Sequence, residues 1–123
     1  MFNKCVFVGR ITFDLNLHKS GDVSFVSNTL AVKRPFGKGA ETDFIPFKVW
    51  NKSAEYLCNY AKKGDLILIC GSLKVDKYTD KEGQNKTSYY INCETTTILQ
   101  SKPQKEEEQK ENINYYPEED LPF

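Results

Sequence analysis

Aromatic and basic residues are interleaved in three stretches of this 123-residue chain. Lys33-Arg34-Pro35-Phe36-Gly37-Lys38 sets a ring among cations where proline and glycine keep the backbone out of regular structure. Phe44, Phe47, Lys48, Trp50 and Lys52 crowd a second stretch, and Lys74, Lys77, Tyr78, Lys81 and Lys86 mark a third. Rings offer a π-face to any base at about 1–3 kcal/mol per stack, while cations track the phosphates of an unpaired strand. The two residue types together are what binding to single-stranded nucleic acid requires. Strand periodicity places Phe44, Pro46, Lys48 and Trp50 on one face, with Ile45, Phe47 and Val49 on the other. The Ile/Phe/Val face reads as core. The opposite face carries rings and a cation outward, which is costly unless a ligand covers them. Phe7, Phe25 and Phe47 are expected in the core, and Phe36 and Tyr78 in solvent.

Other chemistries lack their residues. His18 is the single histidine and has no nucleophile partner, no phosphate-cradling glycine loop is present, and the acids form no pair by spacing. No catalytic residue and no cofactor are therefore assigned, and the chain is not read as an enzyme. Cys5, Cys58, Cys70 and Cys93 stand far apart without a CxxC pair, so no metal site is assigned. Each lies among apolar neighbours, as small buried hydrophobes do in a reducing compartment. No run of about 18 apolar residues exists, and the start runs directly into a strand-like pattern. A cytoplasmic protein with no membrane partner is expected.

A formal charge of zero hides a division. Residues 1–102 hold 15 Lys and Arg against 10 Asp and Glu, a net of +5; residues 103–123 hold 2 against 7, a net of −5. Such asymmetry points to nucleic-acid binding joined to an acidic tail.

The elements that must position these groups can be read in order. A strand is expected over residues 3–12, with Gly9 at a bulge or close backbone approach, then a turn-rich segment over 13–22. A second strand follows over 24–34 and a third over 43–50, where Pro46 argues for an edge or bulge. Residues 51–63 read as the one helix, with Ala54, Leu57, Cys58 and Ala61 on its apolar stripe. Asn51 or Ser53 could cap its start, Lys62 and Lys63 suit its end, and Gly64 suits the position beyond. Strands over 66–78 and 86–99 flank a polar hairpin, and Gly71 fits a strongly bent barrel strand. The fold class is all-β with one short helix. A helix between strands three and four is the organisation of the five-stranded OB-fold barrel. From Ser101 the chain has too little apolar content to offset its ordering entropy, so a disordered acidic tail is expected. The domains are 1–100 for the barrel, 101–116 for a flexible linker and 117–123 for an acidic tip ending Leu121-Pro122-Phe123.

In this order the residues resemble the bacterial and phage single-stranded-DNA-binding proteins of the homotetrameric OB-fold type. The likeness is carried by Asn3-Lys4-Cys5-Val6-Phe7-Val8-Gly9-Arg10-Ile11, by Asp43-Phe44 through Trp50 into Glu55, and by Tyr60-Ala61-Lys62-Lys63-Gly64. Gly71-Ser72-Leu73-Lys74, the hairpin Tyr78 to Gln84, and the terminal Glu118 to Phe123 complete it. The resemblance implies base stacking on Phe36, Phe44, Trp50 and Tyr78. It offers Lys33, Arg34, Lys48, Lys52, Lys62, Lys63, Lys74 and Lys77 as phosphate contacts, Lys62 and Lys63 reading equally well as helix-terminus charges. It also implies a homotetramer, and replication, recombination and repair proteins as partners held by Asp120, Leu121, Pro122 and Phe123. Two departures stand out: Asp76 where related proteins often carry a cation, and Ile45 where some place an interface histidine. The short linker fits a phage, plasmid or accessory version. An RNA-binding or primosome-type OB-fold and a protein-interaction barrel remain open as alternatives.

Overall fold

A computed structural model describes residues 1–36 and 41–101 of the chain. Its elements are β1 (Cys5–Ile11), β2 (His18–Ser20), β3 (Val23–Lys33), β4 (Thr42–Trp50), α1 (Asn51–Tyr60), β5 (Leu66–Thr79) and β6 (Asn85–Gln100). The expected linker, acidic tip and tail disorder lie outside the described residues, as does Lys38. Among the described residues no helix is long and apolar enough to cross a membrane.

The sheet runs β1-β5-β6-β4-β3-β2, and a further β1–β3 pairing closes β1, β3, β4, β5 and β6 into a barrel. All pairings are antiparallel except β4–β6, which is parallel and limited to Phe47 opposite Ile91 and Lys48 opposite Asn92. This is the expected OB-fold, helix position included, with one strand more than expected: β2 forms inside the segment read as turns. His18, Lys19 and Ser20 pair with Phe25, Ser24 and Val23 around Gly21, whose φ of 63° suits the turn. Pro46 sits where the edge reading requires. β4 pairs with β3 along its whole length, but β6 joins it only from Phe47.

Two glycines permit closure. A Cβ on Gly9 would collide with the Ala31 carbonyl, where β1 crosses onto β3. One on Gly71 would collide with the Asn92 carbonyl, beside the bulge at Cys70/Gly71. Inside lie Ile11, Val26, Leu30, Phe47, Val49, Ile67, Ile69, Ile91 and Cys93, and α1 packs onto them through Ala54 and Leu57, with Cys58 and Ala61 alongside.

The helix is shorter than the expected 51–63. It ends at Tyr60, so Lys62 and Lys63 lie beyond it and no basic residue occupies its last turn. Its start has no side-chain cap. Asn51 adopts φ 51°, a left-handed conformation that asparagine tolerates, and its Oδ1 accepts the Ser24 N–H at 3.2 Å instead. Asp65, fully buried, terminates the turn by accepting the Lys62 N–H at 3.0 Å.

Candidate nucleic-acid interface

β4 positions the centre of the site. Phe47 and Val49 are fully buried, so the pleat sends Phe44, Lys48 and Trp50 outward, as their alternation requires. Phe44 is 63% exposed. Trp50 is half-buried, and its indole Nε1 donates to Asn92 Oδ1 at 2.6 Å, which fixes the ring against β6. The Lys48 ammonium stands 4.6 Å from the centre of the Tyr90 ring, a cation–π contact that keeps its charge on this face. Tyr90 and Asn92 alternate with buried Ile91 and Cys93, so β6 continues the same outer surface.

From β6 the surface passes to β5, where Lys74 lies opposite Tyr90 and Tyr78 opposite Lys86. Lys74, Asp76 and Tyr78 share this side, so Asp76 sets a negative charge between a cation and a ring. Tyr78 is 52% exposed near the hairpin tip. Lys77 belongs to the opposite side of the same ribbon, with Leu73 and Val75. At the other end Lys33 closes β3, and Phe36, 89% exposed, begins the loop beyond it.

Arg34 is already engaged. Its Nε and Nη2 donate to Asp43 at 3.0 Å each, its Nη1 donates to Glu41 at 2.7 Å, and its backbone N–H bonds the Glu41 carbonyl. The bonds between Arg34 and Asp43 hold the Asp43 carboxyl below the ordinary carboxylate range and raise the guanidinium above its own. Lys52, exposed on the first turn of α1, stays near Trp50. Lys62 and Lys63 lie a helix length away, about 15 Å at the usual rise. There Lys62 Nζ approaches Asp65 at 3.9 Å, and Gly64 bonds β1 through the Ile11 carbonyl. The structure therefore gathers Phe44, Lys48, Trp50, Lys74 and Tyr78 on one continuous side, with Lys33 and Phe36 at its end. It leaves Lys62, Lys63 and Lys77 away from that side.

Four outward residues escaped sequence reasoning: Tyr90, Asn92, Phe25 and His18. The first two were accessible through the alternation of β6. Phe25, expected in the core, faces out and half-exposed because β3 turns Ser24, Val26, Asn28 and Leu30 inward. Buried Asn28 is the reason a polar residue can occupy that side: its Oδ1 accepts from Phe13 and Thr29 and its Nδ2 donates to the Phe13 carbonyl. Phe25 rests against Trp50 with ring centres 5.4 Å apart, and His18 stacks on Phe25 at 5.2 Å. Among the described residues no cluster of side chains has the make-up of a metal site.

Comparison with known proteins agrees with this geometry. The single-strand binding protein family model matches residues 2–99. Single-stranded DNA-binding protein 1 of Streptococcus pyogenes serotype M18 is 36% identical, with all of both chains covered. The single-stranded DNA-binding protein of Enterococcus faecalis is 36% identical over 87% of this chain and 59% of its own length. That of Helicobacter hepaticus is 32% identical over 93% and 71%. Among solved structures, the mitochondrial single-stranded DNA binding protein of S. cerevisiae superposes with a TM-score of 0.68 at 20% identity, covering 83% of this chain and 99% of that one, a likeness of fold. With a family match spanning its whole barrel and relatives aligned along its length, the chain belongs to the single-strand binding protein family.

Proposed function

We propose that this protein binds single-stranded DNA without sequence preference, holding bases on Trp50, Phe44, Phe36 and Tyr78 and phosphates on Lys33, Lys48, Lys52 and Lys74. The observation that carries the reading is the outer face of β4, where two rings and an ammonium share one outward surface while Phe47 and Val49 are fully buried beneath it. Family membership, and the name of a relative aligned over the whole chain, support single-stranded DNA as the ligand. There is no chemical step. Binding keeps unpaired bases open for copying, recombination and repair.

Assembly and recruitment complete the proposal. β1 pairs with β3 only at Arg10 and Ile11, so among the described residues its edge before Gly9 has no strand on that side, and Val6 is 59% exposed. Beyond the barrel, Leu73, Val75 and Tyr89 expose an apolar side of the β5–β6 ribbon. Both favour a homotetramer. Asp120, Leu121, Pro122 and Phe123 then serve as the recruiting tip, since capture of a C-terminal carboxylate beside an apolar pocket is an established recognition mode.

Trp50 is the only indole, so its fluorescence reports the site directly. Oligo-dT is expected to quench it, and RNA or duplex DNA at the same salt is expected to bind more weakly. No quenching, or a preference for duplex or RNA, overturns the reading. Light scattering should return the mass of four chains. Removal of residues 118–123 should abolish capture of replication and repair proteins while leaving or raising DNA affinity.

A further inference from the structure

The chain has a row of rings that its β4 site does not account for. His18 on β2 lies opposite Phe25 on β3, and Phe25 lies opposite Trp50 on β4, so three rings stand side by side across three strands on the outer surface. The His18 and Phe25 planes are nearly parallel, 28° apart, while Phe25 and Trp50 are tilted by 38°. Trp50 is anchored to Asn92, so the row has a fixed end inside the site and a free end at His18. Among the described residues β2 is the outermost strand of the sheet, and no described strand adjoins the imidazole face turned away from Phe25.

Packing alone is a poor account of this row. A cross-strand aromatic pair contributes about 0.2–1 kcal/mol and would serve best with its outermost ring covered. Here His18 is exposed, and β3 buries Ser24 while turning the larger and more apolar Phe25 outward. An apolar-out, polar-in arrangement is unfavourable until something flat covers the surface. We infer that His18, carried on Phe25, is a further base-stacking platform that extends the DNA track from Trp50 across β3 to β2. The inference rests on the reading under Proposed function and lengthens the strand each barrel holds. Phe25 is its positioning residue, keeping the imidazole parallel to the incoming base.

The test uses the full chain and fluorescein-labelled oligo-dT, with affinity read by anisotropy across a series of salt concentrations. His18→Ala is expected to weaken binding between about 5-fold and 140-fold, the range for loss of one base stack. The slope of log affinity against log salt is expected to stay unchanged, because stacking releases no counterions. His18→Phe is expected to restore parental affinity, since it keeps the ring and removes the imidazole nitrogens. Parental binding by His18→Ala, a shallower salt slope, or failure of His18→Phe to restore affinity overturns the inference. A parent protein that does not bind oligo-dT at all overturns the β4 reading as well, so the two failures are distinguished by the unmodified chain. Circular dichroism of His18→Ala checks that the barrel is intact, and the affinity of His18→Phe decides the question if it is not.

Discussion

Arg34 lies just past the end of β3 and Lys48 on the neighbouring β4, yet their charges are in different states. Arg34 is spent on Glu41 and Asp43, whereas Lys48 rests on the face of Tyr90 and stays available to a phosphate. Replacing a phosphate-binding cation lowers the salt slope by about 0.7 on a single strand. Lys48→Ala should show that change in a salt series of oligo-dT titrations, and Arg34→Ala should leave the slope nearly unaltered. The Arg34–Asp43 pair also has a pH signature. Because the carboxyl is depressed in the folded chain, its contribution is present at neutral pH and lost as pH falls below the ordinary aspartate value of 3.8. Cys93 behaves oppositely. Burial, then the neighbouring Cys70, pushes its thiol up to about 12, so the folded chain is favoured below the ordinary value of 9.0 and loses that advantage as pH rises toward 12. Ellman's reagent at pH 8 should consume Cys93 last in the folded protein and all four thiols promptly in denaturant. The residue types of the site were legible because cations and rings in alternation have few other uses. The partners that occupy Arg34 were not, since ion pairs depend on which loops meet across a turn.

The elements show why periodicity carries so far and where it stops. Alternation assigns both faces of β4 correctly because Phe47 and Val49 are fully buried on one of them and Ile45 packs beside them, which fixes register. It misplaces Phe25 because β3 hides two polar residues: Ser24, whose backbone N–H is held by Asn51, and Asn28, whose side chain ties down the Phe13 backbone. Charge alone extends the helix through residues 62–63, but the buried Asp65 carboxylate draws the chain into a turn first. Gly9 and Gly71 were readable as places of close approach, and the structure supplies the reason in two carbonyls of adjoining strands. Gly71→Ala should therefore cost about 1–3 kcal/mol, since a backbone carbonyl, unlike a flexible side chain, cannot move aside cheaply. A urea melt checks this, and a midpoint equal to the parent's would show that the β5 bulge absorbs the methyl group.

At the scale of the molecule, the strand order encloses the core by one complete circuit, but the circuit is uneven. β5 and β6 are paired over 14 positions, whereas β4 and β6 meet at two. The sequence could place every barrel strand without revealing this, because the length of a parallel contact depends on how the β5–β6 ribbon leans after its bulge. The short contact also makes the barrel a hinged clasp. One of its two short latches, each paired at two positions, lies at Lys48 and Asn92, and Asn92 is the acceptor that holds Trp50. Local opening takes place where the fewest pairings must break. Amides of residues 47–48 and 91–92 should then exchange hydrogen sooner than those of the β1–β5 ladder. A strand of DNA lying across β4 and β6 would bridge the latch from outside and slow that exchange. Ligand binding and closure of the barrel would then be one equilibrium, so that a bound strand acts as the missing rungs of the ladder.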